Sequence, residues 1–233
     1  MTSKSEWPVV PLRLDQDNSG PIFFTQHEWE TVEAATARIY PTDHQPGARE
    51  AGVVRYIDRY ISGLQYIYAS ADGSGFLELS GKLADAWRTR IISMQNKYRE
   101  GIIDLDKRAK KQSGRNFKDL GAKDQDSLIE ALSGAPKPLH IKLSDSRKLG
   151  SMLQGVSDDD ASFFEMIALH TRQGMFCDPA YGGNRGRVGW DLVEFPGPES
   201  LKDTNDCSYS VKEYFVLDYD WKDLIPYLRD RNV

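Results

Sequence analysis

The sequence has only two cysteines, Cys177 and Cys207, and four histidines, and this scarcity removes several chemistries together. Two thiols cannot hold an iron–sulfur cluster, and neither a CxxC pair for zinc nor a CxxCH site for covalent haem occurs. A disulfide between Cys177 and Cys207, a bond to a partner and two free thiols all fit the count. None of His27, His44, His140 and His170 sits in a metal-type or nucleophile-type motif. Long hydrophobic runs are missing as well. With a mean hydropathy of −0.56, no stretch approaches the roughly 18 apolar residues of a membrane-spanning helix. Nor is there an excess of positive charge. Thirty Lys plus Arg stand against 35 Asp plus Glu, a net charge of −5, which poorly suits a nucleic-acid binder. The densest basic stretch, Lys107, Arg108, Lys110, Lys111 and Arg115, reads as a helix C-terminus complementing its own dipole.

What is present is helical periodicity with punctuation. Residues 1–22 read as an extended arm, because Pro8 and Pro11 interrupt scattered apolar residues such as Trp7, Val9 and Val10. Within it, Asp15, Asp17, Ser19, Gly20 and Ile22 match the start of a calcium loop, but Gln26 replaces the final Glu, so a polar turn is favoured. Thr25 to Glu28 forms a T-x-x-E capping box, followed by Trp29, Val32, Thr36 and Ile39 at helical spacing and stopped at Pro41. A second helix follows Pro46-Gly47, with Val53, Val54, Ile57, Tyr60, Ile61 and Leu64 on one face. The stretch 66–83 is a loop, and the longest helix carries Trp87, Ile91, Met94, Tyr98, Ile102 and Leu105 until Gly114. A short helix spans Asp124 to Leu132, and Gly134 to Leu153 is a connector. Ser157 is expected to cap the next helix, with Asp158, Asp159 and Asp160 in its first turn and Phe164, Ile167, Ala168, Thr171 and Met175 as its buried stripe.

Beyond Gly174 the chain becomes turn-rich. Phe176, Cys177, Asp178, Pro179, Ala180, Tyr181, Gly182, Gly183, Asn184 and Arg185 run in sequence, and Gly189-Trp190 follow. Asp-Pro starts a turn and Gly-Gly permits positive φ or close backbone approach. A phosphate cradle is disfavoured, since the loop follows a helix and lacks G-x-G-x-x-G or G-K-[ST]. A catalytic loop and a shaped surface for a partner both remain open from spacing alone. His170 lies seven residues before Cys177, and a Cys–His pair weighs less than a packed helix end there. The tail 196–233 is aromatic, with Tyr209, Tyr214, Phe215, Tyr219, Trp221 and Tyr227. It completes the core or lies across a partner. These segments give a mainly α fold, an irregular helical domain over 23–195 with a glycine-rich loop and extended N- and C-terminal segments.

The run from Phe164 through Gly174-Met175-Phe176 and Asp178-Pro179-Ala180-Tyr181-Gly182-Gly183-Asn184 to Gly189-Trp190 resembles the gluconate 2-dehydrogenase subunit 3 family. So do Phe24-Thr25 with Ile39-Tyr40-Pro41-Thr42-Asp43, and Pro46-Gly47-Ala48-Arg49-Glu50-Ala51-Gly52-Val53 leading to Tyr56-Ile57-Asp58. The resemblance implies a non-catalytic small subunit beside a large FAD-dependent subunit of the glucose–methanol–choline oxidoreductase type, often with a multihaem cytochrome c. It implies no cofactor in this chain and a periplasmic place at the inner membrane, reached through the complex. Family small subunits often carry a twin-arginine signal, and the polar residues after Met1 show none. The expected contact surface is Phe176, Asp178, Pro179, Tyr181, Gly182, Gly183, Asn184, Arg185 and Trp190, with no catalytic or metal-binding residue. A self-sufficient enzyme centred on 176–190 and a free-standing export chaperone are the rival expectations.

Overall fold

The structure, a computed structural model, describes residues 9–10, 20–69, 75–134 and 161–195. Helix α1 (Gln26–Ile39) begins at the expected capping box: Thr25 accepts from the Glu28 N–H, and the Glu28 carboxylate accepts from the Thr25 N–H at 2.8 Å. It ends at Tyr40, where Pro41 can donate no further helical bond. Helix α2 (Val53–Ser62) buries Val53, Val54, Ile57 and Ile61, and also two charged side chains, Asp58 and Arg59. Leu64 lies past the helix, in a 3-10 turn over Leu64–Tyr66.

Helix α3 (Gly81–Ser113) runs 33 residues, roughly 50 Å at 1.5 Å per residue, and buries Ile91, Met94, Tyr98, Ile102 and Leu105 along one stripe. Lys110 and Lys111 occupy its last turn, and Gly114 closes it in the left-handed region at φ 73°. Helix α4 (Ala122–Ser133) buries Leu128 and Ile129. Helix α5 (Phe163–Phe176) is capped by Ser162, which exchanges both bonds of a second capping box with Glu165. This corrects the expected start of the helix bearing Phe164 and Ile167. Ser157 and Asp158–Asp160 themselves lie outside the described residues, as do most of the 134–153 connector, the tail from 196 onward, and Asp15, Asp17 and Ser19. Of the calcium-like pattern, Gln26 is described, and its side-chain amide donates to Glu30. A five-residue helix, α6 (Val188–Leu192), completes the described helices.

Helix α2 packs most closely on α5, while α1 crosses α2, α4 and α5, so one core fills the centre. Met94, Tyr98 and Leu105 of α3 meet Ile57 and Ile61 of α2 and Met166, Ile167 and Met175 of α5 there. Polar clamps fix the helices' relative positions. His27 meets Asp106 at 2.5 Å, Asp106 also accepts from the Phe117 N–H, and Arg38 makes a two-pronged contact with Asp126. Among the described residues, strand content is confined to β1 (Val9–Val10) and β2 (Phe76–Leu77), paired antiparallel with Val9 opposite Leu77. That pairing ties the expected arm, at Val9–Val10, to a strand inside the stretch read as loop.

Candidate partner-binding site

The last carbonyls of a helix have no partner within it, and the end of α5 meets this need by folding the following loop back on itself. Asn184 does most of the binding. Its N–H donates to the Gly174 carbonyl at 2.7 Å, its side-chain amide donates to the Cys177 carbonyl at 2.9 Å, and its side-chain oxygen accepts from the Gly189 N–H at 2.8 Å. The Trp190 indole N–H donates to the Phe176 carbonyl at 2.9 Å. Asn184 holds φ 46° and ψ 41°, a left-handed conformation that asparagine adopts more readily than most residues. Close approach explains the glycines. A Cβ at Gly183 would meet the Gly174 carbonyl, and one at Gly189 would land on the Met175 carbonyl oxygen.

The rest of the run is held from the other side. Asp178 caps a 3-10 turn over Pro179–Tyr181, its carboxylate accepting from the Ala180 N–H at 2.8 Å. The Tyr181 hydroxyl accepts from the Ala69 N–H at 3.2 Å, and its ring stands edge-on to Phe76, so burial raises the phenol's pKa. Arg185 donates its backbone N–H to the Ala51 carbonyl, fastening the loop to the turn before α2.

The nine residues expected at a contact surface therefore divide. Gly183, Asn184 and Trp190 are buried within the chain, the last at 6% exposure, and their contacts are to the chain itself. Phe176, Asp178, Pro179, Tyr181 and Gly182 are half-buried, and Phe176 sits edge-on to Tyr40. Arg185 is exposed, close in sequence to exposed Val193 and Phe195. Cys177 is a free thiol whose pKa burial pushes up to about 12, with Sγ directed at the Gly174 carbonyl. Cys207 lies outside the described residues. His170 is wholly buried, with Nδ1 2.9 Å from the Tyr98 hydroxyl and its ring stacked on Tyr98. The two residues thus serve different contacts and form no Cys–His pair.

Of the charged residues on α2, the sequence marks only Asp58, within Tyr56-Ile57-Asp58 and with no role attached, although Asp58 and Arg59 are both buried near the loop. Asp58 is fully buried and accepts three backbone N–H groups, from Ile22 at 2.6 Å, Phe23 at 3.0 Å and Phe24 at 2.8 Å. Burial raises its pKa, and the three bonds oppose that rise. Arg59 is 7% exposed, and its Nε has no hydrogen-bond partner among the described residues. The available signal was Arg55-x-x-x-Arg59, a like-charge pair at helical spacing beside an apolar stripe. Arg55, Arg59 and Arg185 line a cleft of about 50 Å³ against Gly182 and Gly183. A separate open groove of about 440 Å³ is lined by Tyr56, Tyr60, Ile67, Phe176 and Tyr181. The glycine-loop cleft is far smaller than the roughly 300 Å³ and upward of ordinary ligand sites. Among the described residues no group of three or more His, Cys, Asp or Glu is placed to hold a metal ion, and no helix is long and apolar enough to cross a membrane.

No curated protein and no solved structure matches the chain. The family profile described as Gluconate 2-dehydrogenase subunit 3 matches residues 26–197, a span that runs from the start of α1 past the end of α6. Both the α5 terminus with its Asn184 knot and the arginine-bearing α2 fall inside it, and on this match the chain belongs to the gluconate 2-dehydrogenase subunit 3 family.

Proposed function

We propose that the chain is the non-catalytic small subunit of a flavin-dependent sugar, aldonate or polyol dehydrogenase complex, where it stabilises the FAD-containing large subunit. The observation that carries this reading is the family match over residues 26–197. The chemistry of the loop supports it. A thiol with a pKa of about 12 is almost wholly protonated at neutral pH and is a poor nucleophile, and the nearby His170 is sealed in the core. What the loop offers instead is shape. Asn184, Gly183 and Trp190 hold it from beneath, so Arg185, Tyr181 and Phe176, with Asp178, Pro179 and Gly182, present a surface already ordered before a partner arrives. Such preorganisation lowers the entropic cost of association.

In this reading FAD belongs to a large subunit of the glucose–methanol–choline type, and a multihaem cytochrome c is the third member that takes electrons onward. The complex works at the periplasmic face of the inner membrane, and this chain reaches the membrane through it. Assistance in folding and export of the large subunit is part of the same proposal.

The experiment is to purify the full chain alone and after co-expression with the flavoprotein encoded beside it. The lone chain is expected to be colourless and inactive in dye-linked oxidation of gluconate, glucose and polyols. The co-expressed pair is expected to purify in fixed stoichiometry with flavin and activity. Turnover by the lone chain would replace this reading with a self-sufficient enzyme. A large subunit that is active and free of this chain after its maturation would replace it with an export chaperone.

A further inference from the structure

Helix α3 carries a second stripe, on the face turned away from the core. Ile103 is 66% exposed and Ile92 56%, two of the three most exposed large apolar side chains among the described residues. At about 100° per residue, Asp85, Ile92, Asn96, Arg99, Ile103 and Lys110 stand within about 40° of one line along the helix, and all six are exposed. Their spacings are seven, four, three, four and seven residues, which read the same from either end. The two ends differ in sign. The Asp85 side chain is 74% exposed and holds Arg88 through Oδ1, whereas Lys110 makes no ion pair among the described residues. A ridge that is palindromic in spacing and opposite in charge at its ends fits a second copy of itself laid antiparallel. A partner surface of one sign would match one end and be repelled by the other.

We propose that the exposed ridge of α3 is a self-association surface, on which two copies of the chain pair through antiparallel α3 helices. A two-fold axis midway between Asn96 and Arg99 sets Ile92 opposite Ile103 of the second copy and Asp85 opposite its Lys110, each contact occurring twice. Asn96 and Arg99 face each other at the centre. Arg88 and Lys107, the like charges at matching heights, project on opposite flanks of the ridge and do not meet. The paired span from Asp85 to Lys110 is about 37 Å of helix, with the isoleucines excluding water at two points and the charges fixing the direction. One helix pair is small beside the roughly 1,200–2,000 Å² of stable interfaces, so the dimer is weak, with a dissociation constant of about 100 µM. The ridge shares no residue with the glycine loop, and the pairing does not rest on the small-subunit reading.

The test is analytical ultracentrifugation of the full chain from about 5 to about 500 µM. The average mass is expected to rise with concentration from 26.4 kDa toward twice that value. Ile103→Glu should abolish the rise. Asp85→Lys and Lys110→Asp should each weaken association about tenfold, and the two together in one chain should restore the wild-type constant, since each end then meets its opposite again. All these variants change exposed residues, so the fold is expected to stay intact, which circular dichroism checks. A mass fixed at 26.4 kDa throughout would overturn the proposal, as would a dimer indifferent to Ile103→Glu. A double variant that stays as weak as the singles would overturn the antiparallel pairing. If the wild-type chain stays monomeric and Ile103→Glu instead prevents co-purification with the flavoprotein, the ridge belongs to that subunit and self-association fails. If no flavoprotein binds the chain at all, the small-subunit reading fails while sedimentation still decides this one.

Discussion

Two neighbouring residues on α2, Asp58 and Arg59, are both charged and both buried, yet the fold treats them oppositely. Asp58 turns toward residues 22–24 and is met by three backbone N–H groups that converge on its two oxygens. Arg59 turns toward the glycine loop and keeps an Nε with no acceptor among the described residues. A buried charge whose partners come from the chain itself is part of the architecture. One left short of partners costs stability.

The largest effect that would sharpen this contrast is expected at Asp58. Asp58→Ala leaves three N–H groups without their acceptor and should cost about 3 kcal/mol in urea unfolding, with Asp58→Asn recovering part of the loss. A loss under about 1 kcal/mol would mean that water replaces the carboxylate, and that the segment before α1 is not anchored through it. A smaller and purely local effect is expected at the start of α5. Ser162→Ala removes one arm of its capping box and should cost about 1 kcal/mol, read as a lower urea midpoint. An unchanged midpoint would mean that the box does not hold the start of α5.

The difference between these sites is also a difference in what a sequence can disclose. Thr25-x-x-Glu28 was legible because a capping box closes over four residues, and the α3 stripe was legible because its period needs no knowledge of the partner surface. Ser162-x-x-Glu165 is the same signal as the first, but Ser157 followed by three aspartates offered a rival start nearby. The glycine loop was legible as a turn-rich segment and not as a knot. Whether Trp190 and Asn184 face inward depends on the carbonyls at the end of α5, and composition is silent on that. Asp58 and Arg59 were the least legible. The groups that satisfy Asp58 come from residues 22–24, more than thirty positions earlier, and those that crowd Arg59 come from Gly182 and Arg185, more than a hundred later.

The smallest expected effect on stability is the most informative one. If the buried Arg59 charge is a net cost to the fold, then Arg59→Met, which preserves length and removes the buried charge, should leave the unfolding free energy of the full chain unchanged or raise it by about 1 kcal/mol. Urea denaturation of wild type and variant in the same anion-free buffer is the direct measurement. A loss of more than about 2 kcal/mol would show that the guanidinium holds the structure together.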